Sequence, residues 1–335
     1  MPDIKKINMK TVTTFLLNNI ILFLLLFIAI VVGILRSGFF SGQVLINLIN
    51  NTTPRFIIAL GVSGCLISKG TDLSAGRAVG LAGCLAATFL QRSDYASKVY
   101  PNLGDVNIIL VLLGVMAVAA IFGAVNGSII SFLKVPPFIA TLGMQTIIYG
   151  ICLVFTGAQP IGGLRRDYLA LSSGFLFDMR FLPNLGFIML FCGIIIWFIY
   201  NKTSHGKYMY AIGGNEIAAE VNGINTSKTK IIIYTAAGAL YGLAGFLLGS
   251  KAGGTSVNLG MSYELEAIAG CTIGGVSTNG GVGRVSGILV GVLVFEILKI
   301  AMNFMGVEAS YTYIVQGVVI VLAVAADMRK YLRRK

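Results

Sequence analysis

Charged side chains make up only 11% of this 335-residue chain, against about 25% in an ordinary soluble domain. That shortfall excludes a water-soluble globular protein. Histidine occurs once, as His205, which leaves no material for a histidine metal site or a catalytic triad within one chain. No Gly-Lys-Ser or Gly-Lys-Thr occurs anywhere, so the lysine and hydroxyl of a phosphate-binding P-loop are missing. The run Gly274-Gly-Val-Ser-Thr-Asn-Gly-Gly-Val-Gly-Arg284 therefore reads as a tight turn between two spans rather than a nucleotide cradle. The five cysteines (Cys65, Cys84, Cys152, Cys192 and Cys271) lie in apolar runs without a C-x-x-C pair, and read as small buried hydrophobes.

What is present is apolar: 56% of residues are hydrophobic and the mean hydropathy is +0.86. This composition specifies an all-α polytopic membrane protein. The formal charge of +12 is not gathered into a basic domain but sits at the ends of apolar runs, as the positive-inside rule requires, so nucleic acid is not an expected partner. The 42 glycines follow no G-X-Y period; small-xxx-small spacings at Gly123/Gly127, Gly238/Gly242, Gly245/Gly249, Gly270/Gly274 and Gly287/Gly291 predict close helix crossings.

A span takes about 20 apolar residues, and that ruler divides the chain into about ten segments. They fall at 13–35, 43–68, 73–91, 107–133, 138–157, 184–201, 231–250, 262–277, 285–304 and 310–328. The first exceeds a signal-peptide core and reads as a retained span. The second holds Asn47, Asn50, Asn51, Pro54 and Arg55, which predicts a break or kink. The eighth starts with Glu264 and Glu266 and runs into Gly274-Gly275, which predicts a short or re-entrant helix. Lys5, Lys6, Lys10, Lys202, Lys207, Lys228, Lys230 and the terminal cluster Arg329 to Lys335 face the cytoplasm if both termini lie inside. Residues 1–335 then form a single transmembrane domain.

Two loops stand out. Residues 201–230, on the cytoplasmic side, contain Asn215-Glu-Ile-Ala-Ala-Glu-Val-Asn-Gly223. Asn215 caps a short helix there, Glu216 lies in its first turn, Ala218 and Ala219 offer a close-approach surface, and Gly223 stops it. Residues 158–183, on the opposite side, are long enough to carry partial helical structure. Their Arg165, Arg166 and Arg180 suit carboxylate recognition on a partner, or balance neighbouring headgroups and aspartates.

Charges within or beside spans are the remaining candidates. In Gly70-Thr-Asp-Leu-Ser-Ala-Gly-Arg77, Thr71 or Asp72 caps a helix expected to start at Leu73, or Asp72 and Arg77 pair beside a transport path. Glu296 and Lys299 are three apart and pair along one helix face. Glu264 and Glu266 cap the eighth segment or line an entrance. Two residues apart, they point to different sides and form no acid/base device.

Along essentially its whole length the chain resembles the permease subunits of ABC sugar importers in the ribose/xylose/galactoside branch. The matching stretches are Ile57-Ile-Ala-Leu-Gly-Val, Gly70-Thr-Asp-Leu-Ser-Ala-Gly-Arg-Ala-Val-Gly80, Pro137-Phe-Ile-Ala-Thr-Leu-Gly143, Ala211-Ile-Gly-Gly-Asn-Glu-Ile-Ala-Ala219 and Gly274-Gly-Val-Ser-Thr-Asn-Gly-Gly-Val-Gly283. Thr71 and Arg77, with Gln91-Arg-Ser-Asp-Tyr-Ala-Ser-Lys-Val-Tyr-Pro101, look most like the galactose/methyl-galactoside subgroup. The resemblance implies a bacterial inner-membrane homodimer with a cytoplasmic ABC ATPase below it and a periplasmic sugar-binding protein above. ATP and magnesium would sit on the ATPase, with no cofactor or catalytic site in this chain. It implies ATPase coupling through Asn215, Glu216, Ala218, Ala219 and Gly223, binding-protein docking at Arg165, Arg166 and Arg180, and a path past Asp72, Arg77 and Glu266. Family permeases read Glu-Ala-Ala-x-x-x-Gly at the coupling helix, whereas here Ile217 holds the Glu position and Glu216 is displaced by one. A ribose or xylose permease of the same branch is the alternative, and a stand-alone secondary transporter a remoter one.

Overall fold

The computed structural model describes residues 20–176 and 182–332. Among these residues there is no strand, only three isolated β-bridges, and the chain is a set of packed helices. In chain order they are α1 (Ile20–Leu35), α2 (Gly42–Ile67), α3 (Ala75–Phe89), α4 (Ile108–Phe132), α5 (Pro137–Thr156), α6 (Arg166–Ser173) and α7 (Asn184–Lys202). Then follow α8 (Ser204–Gly214), α9 (Glu216–Val221), α10 (Thr226–Ala252), α11 (Tyr263–Ile273), α12 (Val285–Phe304) and α13 (Ala309–Leu332). Among the described residues six helices are long and apolar enough to cross a membrane: α4, α5, α7, α10, α12 and most of α13.

Local chemistry sets the boundaries. Asn107 Oδ1 accepts from Ile109 N at 2.8 Å to start α4, and Asn225 Oδ1 accepts from Lys228 N at 2.8 Å to start α10. The Pro136-Pro137 pair opens α5, and Gly157, with φ of +58°, closes it. α10 is the axis of the packing. Its Gly238 and Gly242 lie so close to Ala119 and Met116 of α4 that a Cβ would overlap backbone atoms, and its Gly245 meets α3 in the same way. Gly274, just beyond α11, and Gly287 and Gly291 of α12 make a second such crossing. Most of the predicted small-xxx-small glycines are therefore backbone contacts, whereas Gly249 meets the Tyr168 hydroxyl and Gly270 the Val292 side chain.

The break expected in the second segment does not occur. α2 runs unbroken from Gly42 to Ile67, with Pro54 inside it. Proline removes one N–H from the ladder, and the neighbouring carbonyls find side-chain donors: Thr53 Oγ1 donates to Ile49 O at 2.9 Å and Arg55 Nη1 to Asn51 O at 3.1 Å. The segment at 262–277 is a half-length helix as expected: eleven residues span roughly 16 Å, about half the apolar core of a bilayer. The helix expected from Leu73 starts instead at Ala75, because Asp72 Oδ1 accepts from both Ser74 N (3.0 Å) and Ser74 Oγ (2.6 Å) and holds that turn out of the helix.

Loops gather at two ends. At one, Gly281 N donates to Ile67 O at 2.8 Å, Tyr210 OH to Gly283 O at 2.9 Å, and Thr278 N to Asp327 Oδ2 at 3.0 Å. At the other, Arg92 N donates to Gly163 O (2.8 Å), Arg165 N to Leu90 O (3.0 Å), and Ile161 and Thr255 exchange two backbone bonds.

Candidate functional site

The polar stretch after α7 folds as two helices, α8 and α9, where one was expected. α8 was hidden by its glycines. Gly213 sits against Ile67 O, and a Cβ there would lie 2.5 Å from Gly281 N, so only glycine fits this three-way junction. Replacing Gly213 by alanine overpacks the junction at about 1–3 kcal/mol; thermal unfolding of the purified chain measures the loss, and an unchanged midpoint means that the junction yields. His205 is half-buried in α8, and burial holds its imidazole below the ordinary value.

α9 is the predicted short helix. Asn215 Oδ1 accepts from Ala218 N at 3.1 Å. At the other end Gly223 adopts φ of +82°, with its N–H on Glu220 O (2.9 Å) and the Ile224 N–H on Ala219 O (3.1 Å). Two clamps fasten the helix to the start of α10. Lys230 Nζ donates to Glu216 Oε1 at 2.6 Å, and Thr226 Oγ1 to Glu220 Oε1 at 2.6 Å. Ala219 is buried against its own chain, so it does not share the outward surface with Ala218 as the sequence suggested. That surface is apolar instead: Ile217 is 76% and Val221 84% exposed, one turn apart. Sequence reasoning passed over both because it weighed only the alanines.

A second site lies at mid-height between α2, α11 and α12. Arg55 Nε meets Glu266 Oε2 at 3.0 Å and Glu296 Oε2 at 3.2 Å. Lys299 Nζ meets Glu266 Oε2 at 2.5 Å and Glu296 Oε2 at 3.7 Å. Two cations and two carboxylates thus alternate, with side-chain exposures of 17% for Arg55, 13% for Lys299 and 10% for Glu266. Tyr263 completes the group: Arg55 Nη2 donates to its hydroxyl at 3.3 Å, and the guanidinium carbon lies 4.8 Å from its ring centre. The Glu296–Lys299 pair was expected; its enlargement through Arg55 and Glu266 was not.

The other sequence candidates separate. Asp72 and Arg77 do not pair. Asp72 is fully buried and bonded to Ser74, whose Oγ accepts from Asn126 Nδ2 at 3.0 Å. Arg77 Nη1 donates to Val257 O at 3.1 Å, and its guanidinium lies 4.2 Å from the Tyr149 ring centre. Among the loop arginines, Arg165 is engaged within the chain: Nε donates to Asp167 Oδ1 at 3.1 Å and Nη1 to Val106 O at 2.7 Å. That bond from Arg165 holds the Asp167 carboxyl below its ordinary range. Arg166 is exposed, and Arg180 lies outside the described residues.

Comparison with known proteins identifies the family. The profile of the family described as "Branched-chain amino acid transport system / permease component" matches residues 44–324. The galactose/methyl galactoside import permease protein MglC of Escherichia coli K12 is 41% identical over 333 residues, 98% of this chain and 99% of its own. The protein of that name from Haemophilus influenzae is 42% identical over 295 residues, 86% of this chain and 87% of its own. The ribose import permease protein RbsC of Bacillus subtilis is 36% identical over 313 residues, 92% of each. No solved structure matches the chain significantly. With its apolar helices and near-full-length relatives, the chain belongs to this permease-component family and is a multi-pass protein of the bacterial inner membrane.

Proposed function

We propose that this chain is the membrane-spanning subunit of an ATP-driven importer of galactose and methyl galactosides. The carrying observation is the higher identity, over nearly the whole chain, to permeases of that name than to ribose permeases. Two copies surround the sugar's route, a separate ABC ATPase binds ATP and magnesium beneath them, and a periplasmic sugar-binding protein delivers substrate from above. The permease itself contributes no catalytic group.

The chain crosses the bilayer about ten times with both termini in the cytoplasm, α11 reaching only part way. The two loop gatherings support that reading. The turns after α2, α8 and α11 meet at one end and the loops before α4, α6 and α11 at the other, the alternation that antiparallel spans produce. The cytoplasmic end then carries α9, and Asn215, Glu216, Ala218 and Gly223 shape the piece that receives the ATPase. Ala219 acts from beneath by seating it. Arg166 and Arg180 face the binding protein, while Arg165 braces the platform. Glu266 and Arg77 border the sugar's route, and Asp72 holds the turn before α3.

Uptake of labelled sugars decides the substrate. In cells lacking their own galactoside and ribose uptake, this chain with its cognate ATPase and binding protein takes up galactose and leaves ribose at background. The opposite preference assigns ribose.

A further inference from the structure

The first half of α2 carries a polar line. Gln43, Asn47, Asn51 and Arg55 recur every four residues, with Asn50 beside them, so all lie along one side of the helix. Gln43 Nε2 donates to Asn47 Oδ1 at 3.3 Å, the Lys251 ammonium at the end of α10 reaches Asn51 Oδ1, and Arg55 Nη1 returns to Asn51 O at 3.1 Å. Gln43 and Asn47 are exposed, while Asn51 and Arg55 are half-buried. Asn50 Oδ1 is buried without a partner. The line ends in the group of Arg55, Tyr263, Glu266, Glu296 and Lys299, and one turn deeper Ile58 and Ala59 are completely buried. Arg55 lies about 20 Å along the helix from Gly42, at the middle of α2.

Amide and charged side chains are expensive against lipid and face a cavity, a route or a partner. From this geometry we infer that the Gln43–Asn47–Asn51–Arg55 line, with Tyr263, Glu266, Lys251 and Lys299 at its foot, is the outer half of the solute's route and binds a neutral polyhydroxylated ring. The inference rests on the importer reading above and adds the residues and the recognition chemistry. Sugar hydroxyls both donate and accept. The amides offer both functions, Glu266 accepts, and Arg55, Lys251 and Lys299 donate. Cations and carboxylates alternate at the foot, so the surface exchanges hydrogen bonds with hydroxyls without selecting an ion of one sign. Route and seal meet at Arg55, below which apolar side chains close α2 against its neighbours.

The test uses the assembled complex in proteoliposomes and a membrane-impermeant maleimide. Asn47→Cys places a thiol on the line, and Leu45→Cys places one on the opposite, exposed side of the same turn. All five native cysteines are buried, which keeps background labelling low. The expected result is rapid labelling of N47C, none of L45C, and slowing of N47C labelling by galactose-loaded binding protein. Asn51→Leu lowers galactose uptake about tenfold, the loss of roughly one hydrogen bond. Equal labelling of N47C and L45C, or labelling of N47C that loaded binding protein leaves unchanged, overturns the inference. Wild-type galactose import is read first in the same vesicles. Its failure overturns the substrate assignment, whereas the polar line stands or falls on N47C against L45C.

Discussion

Glu266→Gln should leave little folded, transport-competent permease in the membrane. The carboxylate at 266 is the shared partner of Arg55 (3.0 Å) and Lys299 (2.5 Å). Without it, both cations depend on Glu296 alone, at 3.2 and 3.7 Å, with Lys251 close by. Removing one member of a buried ion pair costs about 3–5 kcal/mol, mostly from the charge left behind. Native stabilities are of the order of 5–15 kcal/mol, so the variant loses a large share of its margin. The companion variant separates charge balance from packing. Glu266→Gln combined with Lys299→Met removes one anion and one cation, leaving Arg55 with Glu296. Its loss should be smaller than the sum of the two single losses by about 1–3 kcal/mol, the coupling range for residues in one network. Thermal unfolding of the detergent-purified chains gives these differences, and strictly additive losses would show that the four charges do not act together.

This cluster marks where sequence reading stopped. The long apolar runs were legible as helices, since α4, α5, α7 and α12 end within a residue or two of the runs that announced them. So was α9, whose cap and glycine stop are local signals. α2 was misread because its amides, proline and arginine carry two meanings. They can break a helix, or they can line one face of an intact helix. Partners distant in sequence decide which, since Arg55 and Glu266 are 211 residues apart. α8 was missed for a related reason. His205, Gly206 and the Gly213-Gly214 pair read as loop by propensity, yet Gly213 earns its place only through its seat against Ile67 and Gly281. The Asp72–Arg77 pairing failed because each found a nearer partner, Ser74 for one and Val257 with Tyr149 for the other.

The second large effect is expected on α9. Ile217→Glu with Val221→Glu should abolish association with the ATPase while leaving the permease folded. Both side chains stand clear of their own chain, and the helix beneath them is held by the Lys230–Glu216 and Thr226–Glu220 bonds, neither of which the substitutions touch. Fully burying an aliphatic side chain of this size is worth about 1.5–3 kcal/mol. Losing two such contacts weakens binding by roughly two to four orders of magnitude. Co-purification of ATPase with tagged permease reads the loss, and normal recovery of the variant from the membrane shows that it folds. Undiminished association would place the contact elsewhere, with the Ala218 side of the helix the next to test. Gly223→Val is a milder companion. A β-branched residue at φ of +82° is strained by about 1–2 kcal/mol, which frays the end of α9 without adding charge to its surface.

Sealed vesicles that contain this chain, with galactose-loaded binding protein outside and with or without the ATPase and ATP inside, test most directly whether it is a gate driven from below. Galactose should accumulate only when ATPase and ATP are both present, and the Ile217→Glu, Val221→Glu variant should abolish accumulation while its ATPase partner, assayed alone, still hydrolyses ATP. Accumulation by the chain without any nucleotide-hydrolysing partner would contradict a partner-driven gate.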